Sequence, residues 1–295
     1  MIRVSFEVFP PKTEAGLTGL GTAIERLAVL DPVYTSVTYG AGGGLRDNSF
    51  AAIDVVRSAA PEVPVAAHLT CVGQTRAEVE ATIARYAELG VHHIVALRGD
   101  PPGGPDAPYV AHPEGFQSTA ELVAAIHARG DFEIAVSAYP ETHPQSPSFE
   151  HDLDVLAAKV DAGATRAMTQ MFFDNALFLR YRDRVAARGI AVELIPGVFP
   201  IHSIEAVARF AARCGASIPD QLAAVFDASA DASASDLDLA ADLAALQIAE
   251  LAAEGVGQAH VYTLNKADLA LAVCARLGLV THATTALTDS TGAPR

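Results

Sequence analysis

Tryptophan is absent from the 295 residues, aromatic residues make up only 6%, and cysteine occurs three times. A core therefore has to be assembled from Ala, Val, Leu and Ile, and the 51% hydrophobic content is enough to fill a large one. Cys71, Cys214 and Cys274 are scattered and odd in number. They fit no disulfide framework and no zinc spacing, so three reduced thiols in a reducing compartment are expected. Basic residues are also scarce: Lys plus Arg number 20 against 35 Asp plus Glu, a net charge of −15. That excludes non-specific nucleic-acid binding, and it means that any anionic ligand needs a local basic site. No apolar run approaches the length of a bilayer span, and no basic segment followed by an apolar one follows Met1-Ile2-Arg3. The expectation is a cytoplasmic protein with neither membrane nor nucleic-acid partners. Charged residues at 19% and a positive mean hydropathy exclude wholesale disorder.

Strand-like and helix-like patterns alternate along the chain. Strands are expected at 4–9, 33–39, 65–71, 93–98, 134–139, 166–173, 192–198 and 260–264. Helices are expected near 14–30, 47–60, 75–89, 118–129, 149–162, 175–188, 203–214 and 266–277. Gly90, Gly130, Gly163, Gly189 and Gly215 stand where helices should end. Eight β-then-α units without a composition break point to an α/β fold: a single (βα)8 TIM barrel, which typically takes roughly 250 residues, rather than two domains. Two insertions interrupt it. Residues 101–116 are rich in Pro and Gly and read as a long loop after strand four. Residues 216–256 add extra helix before the last strand, with the Asp/Ala/Ser-rich stretch 227–242 reading as a solvated helix face and linker. The barrel is expected to occupy 1–279 and a polar, frayed tail 280–295.

In such a barrel the chemistry gathers at the C-terminal ends of the strands. Those ends present Glu7, Thr38-Tyr39-Gly40, His68-Leu69-Thr70, Arg98-Gly99-Asp100, Tyr139 to His143, Gln170 and Thr263 to Lys266. A ring of polar groups on an apolar scaffold reads as a ligand cavity. Alternation puts Ser5 and Glu7 on the inner face, and a carboxyl near an apolar floor should have a raised pKa, as suits a general acid. A structural Glu paired with Arg fits the same position, and the residues alone leave both open.

Other chemistries find weaker support. His92 and His93 face opposite ways on one strand and cannot share a metal, and His68 and His143 read more readily as hydrogen-bond partners than as ligands, so no metal site is expected. Gly40-Ala41-Gly42-Gly43-Gly44-Leu45 lacks the third glycine of a dinucleotide fingerprint and reads as a flexible loop. A Schiff-base mechanism needs an inward lysine on a strand, whereas Lys159 falls on a helix and Lys266 just past strand eight.

Seven segments taken together resemble the 5,10-methylenetetrahydrofolate reductase family. They are Val4-Ser5-Phe6-Glu7-Val8-Phe9-Pro10-Pro11-Lys12, Ser36-Val37-Thr38-Tyr39-Gly40-Ala41, Ala67-His68-Leu69-Thr70-Cys71, Ala96-Leu97-Arg98-Gly99-Asp100, Ala138-Tyr139-Pro140-Glu141, Thr169-Gln170-Met171-Phe172-Phe173-Asp174 and Tyr262-Thr263-Leu264-Asn265. They follow in order along nearly the whole chain, each at a strand end. The resemblance implies an enzyme that reduces 5,10-methylenetetrahydrofolate to 5-methyltetrahydrofolate with NADH or NADPH, feeding methionine synthesis. It implies Glu7 as proton donor, Asp100 as a contact to the pterin, Gln170 as a contact to folate or nicotinamide and Phe210 as a stacking aromatic. Lys266 stands where the family usually has a substrate-side Arg, and Ala206 replaces a second glutamine.

The resemblance also marks departures. Thr38, His68, Arg98, Gly99, Tyr139, His143, Asp152 and Lys159 match residues that bind the flavin elsewhere in the family. Of the face that holds the FAD ribityl and diphosphate, however, Val155 and Ala158 replace polar or cationic residues, and Ser118 replaces a tyrosine. The expectation is hydride transfer directly from the nicotinamide, without bound FAD. The alternatives are the same reaction through FAD by a ping-pong route, a metal-free barrel lyase acting on another pterin, or a non-catalytic folate-binding protein.

Overall fold

The computed structural model describes residues 2–40, 43–101, 107–130, 132–201, 203–229 and 236–279, the side chains of 43–45, 227–229 and 236 excepted. The expected tail at 280–295 lies outside the described residues. So do positions 41 and 42 of the glycine loop, and α2 (Gly43–Ala59) begins directly after them, earlier than expected.

Every strand pairing is parallel, in the order β7-β6-β5-β4-β3-β2-β1-β9-β8. The strands are β1 (Arg3–Val8), β2 (Thr35–Val37), β3 (Val65–Thr70), β4 (His93–Leu97), β5 (Glu133–Ala138), β6 (Arg166–Thr169), β7 (Glu193–Ile195), β8 (Gly197–Val198) and β9 (Gln258–Tyr262). The two ends of this sheet, β7 and β8, are one stretch of chain divided by Pro196. Proline has no N–H to donate to a ladder. Its carbonyl accepts the His260 N–H at 2.9 Å, so the chain leaves β6 and joins β9 across that residue. The nine short strands therefore occupy eight positions of a TIM barrel. Closure is tight at Gly197, where a Cβ would stand 2.2 Å from the Thr169 carbonyl oxygen.

The helices form where capping residues precede apolar stripes. Thr13, Thr75, Ser118, Ser148, Asp174 and Ser203 each accept a backbone N–H from the first turn of the helix that follows. These helices are α1 (Glu14–Ala28), α3 (Arg76–Glu88), α4 (Thr119–His127), α5 (Phe149–Asp161), α6 (Asn175–Ala187) and α7 (Ile204–Cys214). The five glycines expected at helix ends all take positive φ.

The insertion before the last strand holds α8 (Asp220–Ser229) and α9 (Asp236–Ala253). Here the expected solvated linker is corrected. Ala240 and Ala241 are fully buried, and α9 packs with α10 (Ala267–Arg276) in the same apolar cluster. Its acidic face is also engaged, since Arg276 pairs with Asp238 at 2.9 Å and with Asp242. The alanines that suggested low complexity allow the close approach of two helices. Residues 230–235 of that stretch lie outside the described residues.

The barrel interior is layered. At the bottom, Arg166 bridges Glu133 and Glu193 at 2.8 and 3.0 Å, and Glu133 also meets His93 at 3.2 Å. Above this lies an apolar floor of Tyr34, Ala66, Val95, Ala135, Met168 and Ile195. Among the described residues no helix is long and apolar enough to cross a membrane.

Candidate active site

A cavity of about 870 Å³ opens above that floor at the C-terminal ends of the strands. It brings together nearly every expected site residue: Glu7, Thr38, His68, Arg98, Gly99, Asp100, Tyr139, His143, Asp152, Lys159, Gln170 and Phe210 all line it, as do Ser118, His151 and Val155. Lys266 does not. It is exposed at the N-cap of α10, one residue beyond the turn that closes the mouth.

Glu7 projects inward from β1, in register with Ser36 of β2 and Tyr262 of β9. Its carboxylate lies 3.5 Å from His68 Nε2 and 3.6 Å from His260 Nε2, with 20% of the side chain exposed. These separations are long, and the His260 ring acts on Glu7 first through its N–H and only then, with His68, through charge. The expectation of a raised pKa is corrected: burial pushes the carboxyl up, but the two imidazoles outweigh it and hold Glu7 below the usual carboxylate value. Burial pushes His68 down, against the pull of Glu7, and its buried Nε2 makes no hydrogen bond among the described residues.

His260 was not among the expected site residues, although Gln258, His260 and Tyr262 alternate on the inner face of β9. It is fully buried. Its Nδ1 lies 2.8 Å from Ser5 Oγ and its Nε2 3.3 Å from Ser36 Oγ. Tyr262 hydroxyl donates to the Thr169 carbonyl at 3.0 Å, and its ring continues through Phe199 to Phe210, with centroids 5.9 and 5.7 Å apart. Phe210 stays 44% exposed, so an apolar ring is left open to the cavity.

The opposite wall is polar. Gln170 Oε1 accepts the Met171 N–H at 2.9 Å, which leaves the amide NH₂ as the group it can offer the cavity. Asp152 accepts the His143 N–H at 2.6 Å, and the His143 ring packs edge-on against Tyr139. Lys159 reaches inward from α5 and donates to Ser137 O at 3.0 Å. Burial lowers its pKa to about 8, despite the attraction of Asp152. Arg98 lies over the ring of Tyr109, whose hydroxyl is 3.7 Å from Cys71 Sγ. Gly99 takes φ +84°, and a Cβ there would stand 2.5 Å from Val72 Cγ1, so this wall needs glycine.

A second unanticipated feature lies at the mouth. Leu264 and Asn265 both take left-handed backbone, at φ 51° and 58°. Asn265 Nδ2 donates to Phe9 O at 2.8 Å while its Oδ1 accepts the Phe9 N–H at 2.9 Å. Thr263 Oγ1 donates to Glu7 O at 2.7 Å. The side-chain amide thus extends the β1–β9 ladder past its last backbone rung and fixes the end of β1.

All three cysteines are free, and the described residues contain no cluster of three or more His, Cys, Asp or Glu suited to a metal.

The family model described as methylenetetrahydrofolate reductase matches residues 1–278. The chain is 41% identical over 279 residues to the 5,10-methylenetetrahydrofolate reductase of Escherichia coli K12, covering 94% of this chain and 91% of that protein. It is 32% identical to the maize protein named methylenetetrahydrofolate reductase (NADH) 1, over 94% of this chain and 48% of that one. Among solved structures, a Clostridium thermocellum protein described as binding two copies of 5-methyl-5,6,7,8-tetrahydrofolic acid superposes with a TM-score of 0.61. At 14% identity, over 93% of this chain and 95% of that chain, the likeness is one of fold.

Proposed function

The chain belongs to the methylenetetrahydrofolate reductase family, and from that premise we propose that it reduces 5,10-methylenetetrahydrofolate to 5-methyltetrahydrofolate with hydride taken directly from NADH. The observation that carries the reading is Glu7: a carboxyl in a deep, largely apolar cavity, set between two histidines. A folate-binding protein without activity needs no such group.

The chemistry follows from the substrate. Its five-membered ring has to open before hydride can reach the methylene carbon. Glu7 gives a proton to N10, the C–N10 bonding pair moves onto that nitrogen, and an iminium forms at N5. Hydride from nicotinamide C4 adds to the methylene carbon, leaving a methyl group on N5 and oxidised NAD. Asp100 stabilises the cationic pterin. Gln170 and Phe210 hold the ring against the hydride donor, by hydrogen bonding and stacking respectively. Because its pKa is held down, Glu7 is a strong acid but a minority species at neutral pH, so turnover should rise as pH falls toward that pKa.

Direct transfer is supported by the poor fit of a flavin diphosphate. Arg98 and Lys159 are the two Lys or Arg residues among those lining the cavity. Val155 presents a half-exposed apolar surface where a diphosphate needs donors, and Ala158 beside it is exposed and equally without one. Thr38, His68, Tyr139 and His143 remain to hold the nicotinamide nucleotide. The same four residues favour the second reading, a ping-pong reaction through FAD. NADH oxidation that depends on methylenetetrahydrofolate and needs no added flavin tests the proposal. A requirement for flavin selects the second reading.

A further inference from the structure

We propose that His260 is a positioning residue for the proton donor, presenting an Nε2–H to Glu7 because Ser5 and Gln258 hold the far side of its ring as an acceptor. This rests on the reading of Glu7 as the acid. His260 itself is fully buried and is not part of the cavity lining, so it acts through Glu7 and not on a ligand.

The direction of the hydrogen bonds sets its tautomer. Gln258 Nε2 can only donate, and it donates to Ser5 Oγ at 3.1 Å. Ser5 has one hydrogen of its own and is fully buried. With Gln258 as donor to it, Ser5 keeps its own hydrogen to give, and His260 Nδ1 at 2.8 Å is nearer than Gln258 at 3.1 Å. The ring proton then sits on Nε2, which faces Ser36 Oγ at 3.3 Å and Glu7 Oε2 at 3.6 Å. Gln258, Ser5 and His260 form one directed chain of hydrogen bonds, and the N–H at its end faces Ser36 Oγ and, just beyond it, the Glu7 carboxyl.

This arrangement favours the carboxylate left when Glu7 gives its proton to N10. Burial alone would disfavour that anion, and a ring turned the other way would present a lone pair that stabilises the protonated acid. The titratable groups facing Glu7 are His68 from β3 and His260 and Tyr262 from β9. Tyr262 is pushed well above its ordinary range by burial and stays neutral, and Ser36 from β2 carries no charge. His68 lines the cavity and is open to changes made by the ligand, whereas His260 is sealed from it. Glu7 recovers its proton from water at the mouth once product leaves.

The test is the pH dependence of single-turnover hydride transfer in His260→Asn and Ser5→Ala, beside the parent protein and Glu7→Gln. The parent rate should fall as pH rises through the Glu7 pKa. In His260→Asn that limb should move to higher pH by about one unit or more, with folate affinity within about threefold of the parent. Ser5→Ala keeps the ring but frees its tautomer, and should move the limb the same way by less. It also serves if the His260 variant fails to fold. A uniform loss of rate in the variants with the limb unmoved would overturn the role of His260 while leaving Glu7 as donor. Retention of the parent rate and limb in Glu7→Gln would instead overturn the donor reading.

Discussion

Replacing Lys159 with methionine should stabilise the unliganded protein while weakening its hold on NADH. The lysine is 7% exposed, and the fall of its pKa from 10.5 to about 8 measures how poorly the charged form is tolerated. The folded pKa lies below the unfolded one, so between these values the unfolded chain binds the extra proton and stability rises with pH. Below about pH 8 the full penalty applies, about 3 kcal/mol at 1.36 kcal/mol per pKa unit. Methionine has similar length and no charge, but it forfeits the bonds to Ser137, about 1 kcal/mol. A net gain of about 2 kcal/mol at pH 7 should remain, shrinking above pH 8 and reversing to a loss of up to about 1 kcal/mol near pH 10.5, where only the lost bonds to Ser137 count. Urea denaturation at the two pH values reads this directly. Titration with NADH should show affinity reduced about tenfold or more, because one of the two cations lining the cavity is gone. A variant less stable than its parent at pH 7 and unchanged in NADH affinity would refute the reasoning on both counts.

Glu7→Gln should nearly abolish NADH oxidation while leaving folate binding largely intact in a fluorescence titration, since it removes a proton but little volume. Gln170→Ala and Phe210→Ala should each weaken ligand binding by about 1–3 kcal/mol, read by calorimetry with folate and with NADH. Asn265→Ala removes both bonds to the Phe9 backbone. It should lower stability by about 1–3 kcal/mol and kcat more than it raises KM, as denaturation and steady-state kinetics will show.

The barrel was legible because its signals are local. The strands are short and mostly apolar, six helices open on a Ser, Thr or Asp cap, and glycines with positive φ stand at the expected helix ends. Strand-end position also found the polar groups that the ends of β1 to β6 present to the cavity. What escaped depends on contacts between residues far apart in the chain. The pKa of Glu7 is set by imidazoles on β3 and β9, which no reading of β1 alone supplies, and so its direction was misjudged. His260 was overlooked because attention fell on the end of β9 and not on the residues alternating inward below it. Lys266 adjoins the mouth in sequence, but the left-handed turn at Leu264 and Asn265 delivers it to the surface. The acidic, alanine-rich part of α9 resembled a linker until α10 supplied Arg276 and a packing partner.

The fate of a labelled hydride tests the direct route from NADH to folate most simply. Purified protein, with no flavin added, is mixed with methylenetetrahydrofolate and NADH carrying deuterium at both C4 positions, in ordinary water, and the methyl group of the product is weighed by mass spectrometry. Direct transfer predicts one deuterium in every methyl formed. A methyl free of deuterium would contradict it, because hydride parked on a reduced flavin nitrogen exchanges with solvent before it is passed on.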